Sequence, residues 1–103
     1  KKPIYITENG KSCHDEISAD GHVHDTERIN YINGYLKGLK KSVLEGTDVA
    51  GYFHWSLMDN FEWAYGYTER FGLTYVDYKT QKRILKDSAY RYNEIIRTNG
   101  ADL

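Results

Sequence analysis

Two stretches of the chain carry side chains that could do chemistry. In the first, Ile4-Tyr5-Ile6 is a short apolar run after Pro3 that reads as a strand buried on both faces, and it ends in Thr7-Glu8-Asn9-Gly10. Glu8 is thus a carboxylate at the C-terminal tip of a strand, the end where parallel α/β proteins place their reacting groups. The plain alternative is the first residue of a solvated loop. In the second stretch, Trp55, Glu62 and Trp63 combine two broad aromatic faces with one carboxylate. A carboxylate can accept two hydroxyl protons at once, an indole N–H donates one bond, and aromatic faces suit the apolar C–H surfaces of sugar rings. On pattern alone, two core tryptophans beside a loop charge remain the simpler account. His54, between aromatic residues, reads as a satisfied core histidine. Cys13, His14, His22 and His24 are metal-ligand types, but their spacing matches no zinc signature, and no metal or cofactor is expected.

The elements that must hold these groups follow from periodicity. Lys11 to His24 is polar and aperiodic, a loop. Asp25-Thr26-Glu27 is an acidic, cap-like start, and Ile29, Ile32, Leu36, Leu39 and Val43 recur at helical spacing, which predicts a helix over 26–45 that stops at Gly46. Asn33-Gly34 resembles a hairpin turn, but the period around it is helical. Val49 to Trp55 predicts a second buried strand. Strand, helix and strand form a right-handed βαβ unit, so the two strands should be parallel. Residues 56–70 are a long irregular connection of the kind that tends to be functional. Leu73–Val76 and Arg83–Leu85 flank a polar turn and predict a hairpin. Asp87 or Ser88 then caps a last helix carrying Ala89, Tyr92, Ile95 and Ile96, closed by Asn99-Gly100.

Composition narrows the function classes. A net charge of −1 over 103 residues lacks the basic footprint of a nucleic-acid binder. No apolar run approaches the roughly 18 residues of a membrane span. With Cys13 as the one cysteine, no intrachain disulfide can form, and a cytoplasmic setting is expected.

The stretch Pro3-Ile4-Tyr5-Ile6-Thr7-Glu8-Asn9-Gly10 resembles the nucleophile motif of the family 1 glycoside hydrolases, which include the β-glucosidases. Gly51-Tyr52-Phe53-His54-Trp55-Ser56-Leu57-Met58-Asp59-Asn60-Phe61-Glu62-Trp63 resembles the sugar-binding segment of that family, and Arg70 to Asp77 the segment after it. The resemblance spans nearly the whole chain. It implies a (β/α)₈ barrel of which residues 1–103 supply the last two βα units, about a quarter, since a whole barrel takes about 250 residues. It also implies that Glu8 is the nucleophile of a retaining glycosidase, and that Trp55, Glu62, Trp63 and Phe71 bind substrate. The partner carboxyl group, which must stand about 5–5.5 Å from the nucleophile, comes from an Asn-Glu-Pro-like motif that this sequence lacks.

Relatives that cleave 6-phosphorylated glycosides typically carry serine, lysine and tyrosine at the positions of Glu62, Glu69 and Phe71. All three differ here, which favours an unphosphorylated β-glucoside, with β-galactoside and β-fucoside close behind. The expected partners are that sugar and the rest of the barrel, with no nucleic acid and no membrane. Alone, the chain is expected to be inactive and oligomeric. The competing readings are a sugar-binding piece without turnover and a purely structural piece that self-associates.

Overall fold

The structure, a computed structural model, describes residues 2–103, so Lys1 lies outside the described residues. In chain order it contains β1 (Ile4–Ile6), α1 (Thr26–Leu44), β2 (Val49–Tyr52), a 3₁₀ turn (Trp63–Tyr65), β3 (Thr74–Val76), β4 (Arg83–Leu85) and α2 (Asp87–Arg97). β1 and β2 are parallel, with Ile4 opposite Val49 and Ile6 opposite Tyr52, as the βαβ reading requires. β3 and β4 form the expected antiparallel hairpin. Asn33 and Gly34 lie within α1.

The ladder between β1 and β2 continues as single bonds into the loops. Phe53 N–H donates to Ile6 O at 2.9 Å, and Trp55 N–H donates to Asn9 O at 2.9 Å. The second strand therefore ends at Tyr52 rather than Trp55, and residues 53–55 run on as an extended segment tied to the turn that carries Glu8.

The expectation that β1 is buried on both faces is not met: Ile4 is 45% and Tyr5 58% exposed. Among the described residues, β1 pairs only with β2, and a two-stranded sheet without covering layers leaves its apolar side chains in water. The apolar core lies instead between the helices and the hairpin, where Ile32, Leu36, Leu73 and Ile95 are buried together. The apolar stripe of α1 is shorter than its period suggests, because Val43 at its end is exposed, as is Ile96 on α2.

A second, ionic core was not legible from the pattern. Arg28 and Lys86 are both 0% exposed. Arg28 grips the Asp15 carboxylate through both Nη atoms (3.1 and 2.8 Å), donates to Asp25 at 2.5 Å, and reaches the Arg70 carbonyl at 2.8 Å. Lys86 Nζ donates to Asp15 at 2.6 Å and to Asp59 at 2.8 Å. Asp59 also accepts from Arg70 Nη1 at 2.5 Å and from the backbone N–H groups of Gly72 and Val76. Three cations and three carboxylates thus neutralise one another, and this mutual pairing is what makes such burial tolerable. The network joins the 11–24 loop, α1, the 56–70 connection, the hairpin and the start of α2.

This network also explains the caps. Asp25 occupies the N-cap of α1, yet its carboxylate makes no capping bond. It serves Arg28, the Ser88 N–H at 2.9 Å and the Ser88 hydroxyl. Nor does Asp87 or Ser88 cap α2: the cap position is Lys86, and Ser88 is buried against Asp25.

Asp87 turns to the exposed His24, whose Nδ1 lies 2.6 Å from it while Nε2 lies 2.7 Å from Asp20. Hydrogen bonds to Asp87 and then Asp20 raise the imidazole pKa to about 9. The folded value lies above the unfolded one, so this clamp contributes its full stability below about pH 6.5 and loses it as pH rises through about 9. An NMR titration of the His24 ring in the complete polypeptide should give a midpoint near 9. A midpoint near the ordinary 6.5 would mean that the two carboxylates do not hold the ring in solution.

The other residues of metal-ligand type in the 11–24 loop do not converge: among the described residues no three His, Cys, Asp or Glu side chains form a metal-sized group. Among the same residues, no helix is long and apolar enough to cross a membrane.

Candidate active site

Glu8 projects from the turn that follows β1, and its neighbours fix that turn. Gly10 packs so tightly on the Trp55 carbonyl that a Cβ there would lie 1.9 Å from the oxygen, so the approach requires glycine. The Trp55–Ser56 peptide is cis. Beyond it, Ser56 N–H donates to Phe71 O at 3.1 Å and Leu73 N–H donates to Ser56 O at 2.9 Å, so the start of the long connection is stitched to the segment before β3. Asn60 Nδ2 donates to the Met58 carbonyl at 2.9 Å, and Asp59 roots the loop in the ionic core.

The tip of the connection is a tight turn. Glu62 N–H donates to Gly66 O at 2.7 Å, and Tyr65 N–H donates to Glu62 O at 2.8 Å. Trp63 takes a φ of 41°, a left-handed conformation that costs about 1 kcal/mol outside glycine. It is also 83% exposed, the reverse of a core tryptophan. Trp55 is exposed as well, so neither tryptophan belongs to the apolar core formed by the described residues.

These groups converge. Glu8, Trp55, Glu62, Trp63 and Phe71, all five of the site residues expected from the sequence, line one open cavity of about 580 Å³ at the C-terminal end of the parallel strands. Asn9, Gly10, Tyr31 and Phe61 complete the lining. Tyr31 was not identified from the sequence, because its helical spacing marks it only as part of α1. Phe61, next to Glu62, could have been found from adjacency. The cavity joins two carboxylates with five aromatic side chains, among them indole N–H donors, which suits a polyhydroxylated ring better than an apolar ligand.

His54 does not line this cavity. It lies behind it against Tyr92, with ring centroids 5.6 Å apart. It is not the fully satisfied histidine expected, since Nε2 is buried without a hydrogen-bond partner. Burial, with a smaller contribution from Arg28, pulls its pKa down to about 4, so the ring is neutral at physiological pH.

Comparison with known proteins bears on this geometry. The chain is 52% identical over 99 residues to Beta-glucosidase A of Thermotoga maritima, covering 96% of this chain and 22% of that protein. It is 52% identical over 103 residues to the Bifunctional beta-D-glucosidase/beta-D-fucosidase of Bifidobacterium breve, with the same two shares. The solved beta-glucosidase from Thermotoga maritima in complex with castanospermine superposes with a TM-score of 0.94 at 53% identity, over 95% of this chain and 22% of that one. The chain thus spans about 22% of the length of the relatives it matches. Residues 1–101 match the family described as Glycosyl hydrolase family 1.

Proposed function

Because the chain belongs to glycosyl hydrolase family 1, we propose that residues 1–103 are the last two βα units of a (β/α)₈ barrel that works as a retaining β-glucosidase on unphosphorylated β-glucosides. The observation that carries this reading is the convergence of Glu8, Trp55, Glu62, Trp63 and Phe71 on one cavity at the strand tips. Strand tips are where barrels of this architecture do chemistry.

In this mechanism the ionised Glu8 attacks the anomeric carbon and forms a covalent glycosyl intermediate. A carboxyl group from outside this chain protonates the departing oxygen, then activates the water that releases the sugar with its configuration retained. Glu62 accepts hydrogen bonds from two sugar hydroxyls, the Trp63 indole donates a third, and Trp55 packs under the ring. Phe71 closes the wall that Glu62 shares. Glu62, with Glu69 nearby in sequence, disfavours a phosphorylated sugar by charge repulsion. The names of the relatives, beta-glucosidase and beta-D-fucosidase, fit a neutral β-glycoside and leave β-galactosides within reach.

The 103-residue chain alone should give no hydrolysis of an aryl β-glucoside above background, since the general acid, a role typically worth 10²–10⁴-fold, lies outside it. It should also associate, because Ile4, Tyr5, Leu57 and Trp63 are exposed and the β1–β2 sheet has open edges. The complete polypeptide should hydrolyse the same substrate with retention. Steady turnover by a monomeric 103-residue chain would overturn the division of labour, and a complete polypeptide inert toward all β-glycosides would overturn the function.

A further inference from the structure

Behind Glu8 lies a hydrogen-bonded chain that no step of the mechanism uses. The Asn9 side chain is held at both ends: Tyr52 O–H of β2 donates to Asn9 Oδ1 at 2.9 Å, and Asn9 Nδ2 donates to the Tyr31 hydroxyl of α1 at 3.1 Å. His54 Nδ1 stands 3.4 Å from the Tyr52 oxygen. We propose that Tyr52 and Asn9 are positioning residues for Glu8, clamping the turn after β1 between β2 and α1 so that the carboxylate is aimed into the cavity before the sugar arrives. This rests on the glycosidase reading above.

The proton inventory fits a rigid clamp. Burial raises the Tyr52 phenol well above its ordinary range, so it stays a donor wherever the protein is folded. Its single hydrogen goes to Asn9, so His54, neutral, must carry its proton on Nδ1 and donate to the Tyr52 oxygen. That tautomer leaves a bare lone pair on the buried Nε2, which costs less than an orphaned N–H and accounts for its missing partner. The backbone is braced in parallel by the Trp55 N–H to Asn9 O bond and by the contact of Gly10 with the Trp55 carbonyl. Every group in the clamp is uncharged, so it orients Glu8 without competing for its charge.

The test uses Tyr52→Phe and Asn9→Ala in the complete polypeptide. Tyr52→Phe should lower kcat on an aryl β-glucoside on the order of 10-fold with KM nearly unchanged, because a nucleophile held off its line of attack matters in the transition state more than in substrate binding. The double variant should be no slower than Asn9→Ala alone, since Tyr52 acts on the turn through the Asn9 side chain. Amide exchange at Gly10 and Trp55 should quicken in Tyr52→Phe, while Ile32 and Leu36 in the core keep their rates. A lower Tm with kcat and KM both unmoved would reduce the clamp to packing and overturn the proposal. Unmoved exchange at Gly10 and Trp55 would overturn it as well, even in a protein that hydrolyses nothing. Quickened exchange in a polypeptide whose wild type is inert leaves the clamp standing and sinks the glycosidase reading instead.

Discussion

Glu8→Gln in the complete polypeptide should lower kcat for an aryl β-glucoside on the order of 10⁴–10⁶-fold, the scale on which hydrolases respond to loss of their nucleophile. A glutamine amide is nearly isosteric with the carboxylate but carries no negative charge with which to attack the anomeric carbon. The binding groups Trp55, Glu62 and Trp63 belong to the other stretch of the same cavity and are untouched, so affinity for the glucoside should change far less than kcat. Glu8→Gly gives a sharper result. It leaves a space beneath the sugar into which a small anion such as azide fits, and direct attack by azide displaces the leaving group in one step. The product should be the α-glucosyl azide, inverted at the anomeric carbon, where the wild type gives retention through two displacements. Product analysis by NMR distinguishes the two. Turnover of Glu8→Gln within about tenfold of wild type, or azide rescue that yields the β-azide, would remove Glu8 from the nucleophile's role.

Lys86→Met should be the most destabilising single change outside the cavity, costing about 3–5 kcal/mol in the complete polypeptide. The substitution keeps the length of the side chain and deletes its charge, at a position with no solvent exposure. Asp15 would then depend on Arg28 alone, and Asp59 on Arg70 with two backbone N–H groups. One negative charge in the buried network would lack its counter-ion, and the low-polarity surroundings that strengthen the intact pairs make that charge expensive. Denaturant midpoints supply the measurement. The double variant Lys86→Met with Asp59→Asn should cost less than the sum of the single changes, because it removes a cation together with a carboxylate it neutralises. An exposed pair provides the contrast: Glu94→Gln, which breaks the surface contact with Arg97, should cost no more than about 1 kcal/mol. A Lys86→Met variant that loses under about 1 kcal/mol would show that the network contributes little more than that surface pair. Because Asp59 roots the 56–70 connection, the same variant should also loosen Glu62 and Trp63 and raise KM for the glucoside.

The positions most easily read from the sequence are those whose signal is local. The period of Ile32, Leu36 and Leu39 specifies α1, and two apolar runs joined by one helix specify the parallel pairing of Ile4–Ile6 with Val49–Tyr52. The motifs at Thr7-Glu8-Asn9-Gly10, Trp55 to Trp63 and Arg70 to Asp77, through their resemblance to a known family and not by local pattern alone, named five residues that the fold gathers in one cavity. The helix and strand signals survive because strand alternation and helical spacing act over a few neighbouring residues.

Residues whose role depends on distant partners gave no such signal. Asp15, Arg28, Asp59 and Lys86 look like surface charges by type, and Asp25 and Ser88 look like helix caps. The structure buries them together instead, through contacts between residues as far apart as Asp15 and Lys86. Likewise, nothing near Tyr52 in the sequence reveals that its hydroxyl meets Asn9, nor that Tyr31 reaches the same amide from a helix. β1 errs in the other direction, since its apolar residues are exposed here. The sequence by itself determined which residues alternate, coil and turn, and which chemical groups stand at the strand tips. Only the tertiary structure decided which charges are buried and what holds the Glu8 turn. A buried charge or hydroxyl is tolerated only where a partner arrives to satisfy it, and that arrival depends on how the whole chain packs.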